Sequence, residues 1–160
     1  ALNCIQAVLP TMRAQKSGHI VNISSVAAPL AIPFQSFYSA TKSATNSLTL
    51  ALRNEVKPFG IKVCAILPGD VKTGFTAARR KSCAGAEVYG AAIDRAVAVM
   101  EHDEQNGMPP ELVAKAVLRA ANAKNPKPLA TVGFQYQLFV VLSKLLPVRL
   151  TNALVGMIYK

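Results

Sequence analysis

Two short apolar segments on either side of a helix-period stretch constrain this chain most. Residues 19–24 (HIVNIS) and 61–67 (IKVCAIL) are short, rich in β-branched residues and bounded by turn residues, the pattern of strands buried on both faces of a parallel sheet. Between them, residues 37–56 repeat their apolar side chains at helix period, and the pattern stops at Pro58 and Gly60. Two strands joined through a crossover helix run parallel, because the helix carries the chain back to the edge from which it started.

The flanking segments extend the same architecture. Leu2, Ile5, Val8, Leu9 and Met12 recur at three- and four-residue steps, which predicts a helix to about Gln15 that Gly18 closes. Residues 87–103 read as one helix, Pro109 and Pro110 open another that runs to Ala123, and residues 129–132 form a short last strand. The apolar tail, 134–160, is interrupted by Lys144, Pro147 and Arg149 before any run reaches membrane-spanning length, so it reads as two short helices. No repeat or polar linker divides residues 1–160. The expected fold is one α/β domain, a Rossmann-type doubly wound parallel sheet with helices on both faces and ligands at the strand C-termini. The opening ALNCIQAVLP is a helix already under way, without an initiator Met or a basic leader, so the chain reads as a fragment that lacks the first strands of its sheet.

Composition narrows the class of partner. Eighteen Lys and Arg against eight Asp and Glu give a net charge of +10, which favours acidic partners such as nucleic acid, anionic lipid or a phosphorylated cofactor. Most of these charges are scattered, and the one cluster, Arg79, Arg80 and Lys81, has no interleaved aromatics and reads as a solvated face, not a nucleic-acid site. Cys4, Cys64 and Cys83 form no CxxC pair and have no histidine at zinc-ligand spacing, so no metal site is expected and a reducing, cytoplasmic compartment fits.

The residues that carry chemistry gather around the first strand and the helix after it. Tyr38 and Lys42, in FYSATKSA, are four apart, which places both on one helix face, about 6 Å apart along the axis. A phenol is a weak acid–base group at neutral pH, and an ammonium beside it favours the phenolate. The same spacing also describes a half-buried aromatic with a solvated lysine one turn on. The strand before the helix delivers Ser24 and Ser25 to the edge where such sheets bind ligands, and alternation lets at most one of them face Tyr38.

GHIVNISS, then YSATK, then ILPGDVKT resemble the signature segments of the short-chain dehydrogenase/reductase family, in that family's order and spacing. The resemblance implies an oxidoreductase that moves a hydride between NAD or NADP and a carbonyl or alcohol. It implies Tyr38 as the general acid/base, Ser25, thirteen positions before it, as the group that positions the substrate oxygen, and Lys42 as a ligand of the nicotinamide ribose. Tyr38 and Lys42 thus serve both chemistry and cofactor binding. Pro68, Gly69, Val71 and Thr73 match the family's PGxVxT loop, which holds the cofactor, with Gly69 allowing its close approach. The family's Gly-rich pyrophosphate motif and its cofactor-selecting residue do not occur among these residues, so the resemblance covers the family's C-terminal, catalytic part and leaves NAD against NADP open. Asn3 does not match the family's catalytic asparagine, and His19, His102 and the cysteines carry no motif.

Phe75 and residues 76–108, with Tyr89, Val97, Val99 and Met100, stand where the family has its substrate lid. This apolar lid and the apolar tail suit a hydrophobic carbonyl or alcohol. Family resemblance also implies a homodimer or homotetramer for the full-length protein, and a fragment that is inactive alone because its sheet edges are unpaired. Two readings compete with the enzyme: a catalytically silent scaffold of the same fold, and a membrane-surface protein whose tail, 138–159, docks on lipid with Lys144, Arg149 and Lys160 at the headgroups.

Overall fold

A computed structural model describes residues 1–80 and 85–160. In chain order it contains α1 (Leu2–Gln15), β1 (Gly18–Ile23), α2 (Ser36–Glu55), a 3-10 turn (Lys57–Phe59) and β2 (Ile61–Pro68). These are followed by α3 (Ala86–Tyr89), α4 (Ala92–Gln105), α5 (Pro110–Asn122), β3 (Leu129–Val132), α6 (Phe134–Leu145) and α7 (Val148–Ile158). The strands form one parallel sheet in the order β1-β2-β3, with Gly18 opposite Ile61 and Ala65 opposite Leu129. All three C-terminal strand ends therefore open at one edge.

Alternation along β2 sorts the layers. Ile61 and Val63 join Ile20 of β1, Ile5 of α1 and Leu52 and Val56 at the end of α2 in one buried cluster, so α1 and α2 cover one face. Lys62 points the other way, and its ammonium reaches the carbonyl of Ala123 just past α5, which puts α5 on the opposite face. The sandwich is pinned by a buried hydrogen bond from Asn22 Nδ2 to Thr49 Oγ1 (2.9 Å), and by Arg53, which donates to the carbonyl of Val63 (2.7 Å) and to Asn125 Oδ1 (2.9 Å).

Several local expectations are corrected. The residue that closes α1 in the left-handed conformation is Lys16, at φ 51°, and Gly18 instead begins β1. A Cβ there would lie 2.6 Å from Met12 Sδ, so a larger residue would require the Met12 side chain to move. Strand β1 is not buried on both faces: Ile20 and Asn22 are buried, but Ile23 at its end is 48% exposed. The stretch expected as a single helix from 87 to 103 is two helices, with Gly90 at φ 54° between them. Arg79 is not a solvated charge either. It pairs with Glu104 and lies 3.9 Å from Glu101, its side chain 11% exposed. Lys81 and Cys83 lie outside the described residues.

Candidate active site

The open edge of the sheet holds a cavity of about 860 Å³. The ends of all three strands reach it, through Ile23, Ser24 and Ser25 after β1, Pro68, Gly69, Asp70 and Val71 after β2, and Gly133 after β3. Tyr38 and Lys42 of α2 and Thr73 line it as well. All seven site residues expected from the sequence thus border one space, although they come from three separate stretches of chain.

Helix α2 is tied to β1 by reciprocal hydrogen bonds. The hydroxyl of Ser24, 3% exposed, donates to the backbone carbonyl of Lys42 (3.2 Å), while Lys42 Nζ donates to the carbonyl of Ile23 (3.0 Å). Ser24 is spent on the backbone. Ser25 Oγ accepts the N–H of Ala27 (3.1 Å) and leaves its own proton available to a ligand. The loop between β1 and α2 is fastened to the helix by the two other serines of the tyrosine–lysine segment. Ser43 Oγ donates to the carbonyl of Ala28 (2.7 Å), and Ser39 Oγ accepts the N–H of Ile32 (3.2 Å). These small polar residues explain why the helix face toward the loop is not apolar. The ammonium of Lys42 lies 5.5 Å from the centroid of the Tyr38 ring, within cation–π range. Burial lowers the pKa of Lys42, since the charged form loses solvent.

The 68–73 loop is anchored from two sides. Val71 bridges Met108, with the N–H of Lys72 on the carbonyl of Met108 (3.0 Å) and the N–H of Met108 on the carbonyl of Asp70 (2.9 Å). From the other side Tyr136, at the start of α6, donates its phenol proton to Asp70 Oδ2 (2.8 Å). Its ring fills the space over Gly69, where a Cβ would stand 2.3 Å from it. The close approach that Gly69 permits is therefore, in this structure, that of the Tyr136 ring.

The cavity has an acidic end that the sequence did not announce. Asp70, Asp103 and Glu104 line it with Tyr136 and Tyr159. Burial raises the pKa of Asp70; the bond from Tyr136 opposes this, and the nearby Asp103 and Glu104 add to it. Tyr159 is pushed up to about 12, first by burial and then by Asp70 and the neighbouring carboxylates. Asp70 is visible in PGDVKT, but its partner stands 66 residues away inside an apolar tail with no polar signature.

Of the stretch expected as a substrate lid, only part borders the cavity. Phe75 and Met108 line the cavity, whereas Tyr89, Val97, Val99 and Met100 do not border it. Met100 and Ala96 are buried on the inner side of α4, and Tyr89 meets Phe34 edge-on at 5.8 Å. Among the described residues no group of three metal-ligating side chains occurs.

Comparison with known proteins places this geometry in a family. A family model described as short chain dehydrogenase matches residues 1–84. The chain is 40% identical over 145 residues to a 3-ketodihydrosphingosine reductase of Bacteroides thetaiotaomicron, a match that covers 89% of this chain and 54% of that protein. A 3-oxoacyl-(acyl-carrier protein) reductase of Brucella melitensis, solved with bound NAD, is 27% identical with a TM-score of 0.58 over 81% of this chain and 45% of its own. A short chain dehydrogenase of Burkholderia cenocepacia, solved with NADP, shares the fold at a TM-score of 0.70 and 20% identity, over 96% of this chain and 55% of its own. The chain belongs to the short-chain dehydrogenase family. It spans about half the length of the curated relative it matches.

Proposed function

We propose that this chain supplies the acid–base and substrate-binding part of an NAD(P)-dependent oxidoreductase acting on a carbonyl or alcohol of a hydrophobic molecule. The observation that carries the proposal is the convergence of Ser25, Tyr38 and Lys42 with the 68–73 loop on one cavity at the strand C-termini. The bound nicotinamide supplies or accepts the hydride. In the reductive direction Tyr38 gives its phenol proton to the carbonyl oxygen as that oxygen gains charge, and in the oxidative direction it takes the proton back. Ser25, whose hydroxyl proton is not used by the Ala27 N–H, orients the same oxygen. Lys42 keeps a positive charge beside the Tyr38 ring and favours the phenolate when the proton leaves.

The residues present fit the nicotinamide end of the cofactor. Lys42 uses one of its three protons on Ile23 and borders the cavity, so the others can reach ribose hydroxyls there, and the 68–73 loop rims the same space. The apolar lining, with Leu30, Ile32, Phe75, Met108, Phe139, Val155 and Ile158, suits a hydrophobic substrate. The 40% identical relative is named for a keto substrate, which supports a ketone.

The test uses the full-length protein, titrated separately with NADH and NADPH and followed by nicotinamide fluorescence and thermal unfolding. Saturating cofactor at one hundred times its dissociation constant should add about 2.7 kcal/mol of stability. Binding of one cofactor selects it for a screen of ketones and alcohols. Failure of both to bind would leave a silent scaffold of the same fold.

A further inference from the structure

The reaction proposed above leaves the outward faces of α6 and α7 unused. In α6, Leu138, Val141, Leu142 and Leu145 recur at helix steps that put them on one face, and their exposure runs from 39% to 74%. In α7, Leu150, Leu154 and Met157 do the same, at 42% to 57%. The opposite sides are already occupied, for Tyr136, Val155 and Tyr159 border the cavity and Val140 is buried. Monomeric soluble proteins rarely leave contiguous apolar patches beyond a few hundred Å² facing water.

Charge selects the occupant. From Phe134 to Lys160 the only charged residues are Lys144, Arg149 and Lys160, and there is no Asp or Glu. A second copy of the chain would bring the same cations against these, which disfavours self-pairing. An anionic bilayer offers acyl chains to the stripes and phosphates to the cations. Among the described residues no helix is long and apolar enough to cross a membrane, so this geometry suits a surface-lying pair.

We propose that α6 and α7 dock the protein on the surface of an anionic membrane, with their stripes at the headgroup and acyl boundary and Lys144, Arg149 and Lys160 at lipid phosphates. The inference stands independently of the reaction. Both helices also line the cavity, so docking brings its α6–α7 wall to the lipid surface.

The experiment is co-sedimentation of the full-length protein with vesicles of phosphatidylcholine alone and of phosphatidylcholine with phosphatidylglycerol, at low and high salt. The protein should sediment with the anionic vesicles and be released by salt. Replacing Leu145→Asp together with Met157→Asp, at side chains 74% and 57% exposed, should cut vesicle partitioning roughly tenfold or more while thermal unfolding stays near native. Lys144→Gln with Arg149→Gln should lower partitioning to the anionic vesicles about tenfold and remove most of the preference for them. The proposal is overturned if the native protein sediments with neither vesicle, or if the double Asp variant sediments as well as native. It is also overturned if sedimentation velocity without lipid shows a stable dimer that the double Asp variant splits, since the stripes would then be a self-interface.

Discussion

Strand β2 hides nearly every side chain it carries, whereas α6 and α7, also apolar, leave most of theirs in the open. The difference lies in neighbours. β2 is the middle strand, with β1 and β3 on its edges and helices over both faces, so Val63 and Ala65 are 0% exposed and Ile66 is 1% exposed. α6 and α7 follow the outer strand β3 and meet the rest of the chain along one side only. The residues proposed for chemistry hang from the first region, where Ser24, Lys42 and Asn22 tie β1 to α2. The second region shapes the cavity wall and, on our inference, meets lipid.

The contrast is broken most forcefully by truncation in the buried region. Ile66→Ala should cost about 2–5 kcal/mol, read by chemical denaturation of the full-length protein, because the surrounding layers cannot close on the void. A smaller loss, about 1–3 kcal/mol, follows from Thr49→Val, which strands the buried Asn22 amide without its acceptor. Leu145→Ala, at a side chain 74% exposed, should change stability by no more than about 0.5 kcal/mol in the absence of lipid.

The smallest effect depends on pH. Burial keeps the folded Asp70 protonated to higher pH than the unfolded chain does, so its contribution to stability falls as pH rises through that window. Asp70→Asn keeps an acceptor for Tyr136 and removes the cost of a buried charge. Thermal unfolding should therefore show the variant slightly more stable than native at neutral pH, with the gain gone below about pH 4, where both chains are uncharged at this position. A variant less stable than native at neutral pH would mean that the charge itself holds the loop.

Strong local periodicity made the scaffold legible. The two longer strands, the crossover helix and the last short strand stand within a residue or two of where their sequence patterns place them, and the split of the tail at Pro147 follows from the proline. The same patterns misjudged β1, because a short apolar run does not reveal how fully each face of the strand will be covered. They also missed the break at Gly90, since one glycine inside a helical pattern is often tolerated. In the site, the serine, tyrosine and lysine were readable because they fall in short ordered segments. The pairing of Tyr136 with Asp70 was not, for it joins a loop to a distant helix through one phenol, and neither residue has a local pattern that names its partner.

The most direct test of the account is Tyr38→Phe in the full-length protein, with turnover, cofactor affinity and thermal stability measured on the same preparation. The substitution keeps the ring beside Lys42 and removes only the phenol hydroxyl. Turnover should fall about 10²-fold or more, with cofactor binding and unfolding close to native. A variant that keeps most of its rate at saturating cofactor would contradict the role proposed for Tyr38 at the strand ends.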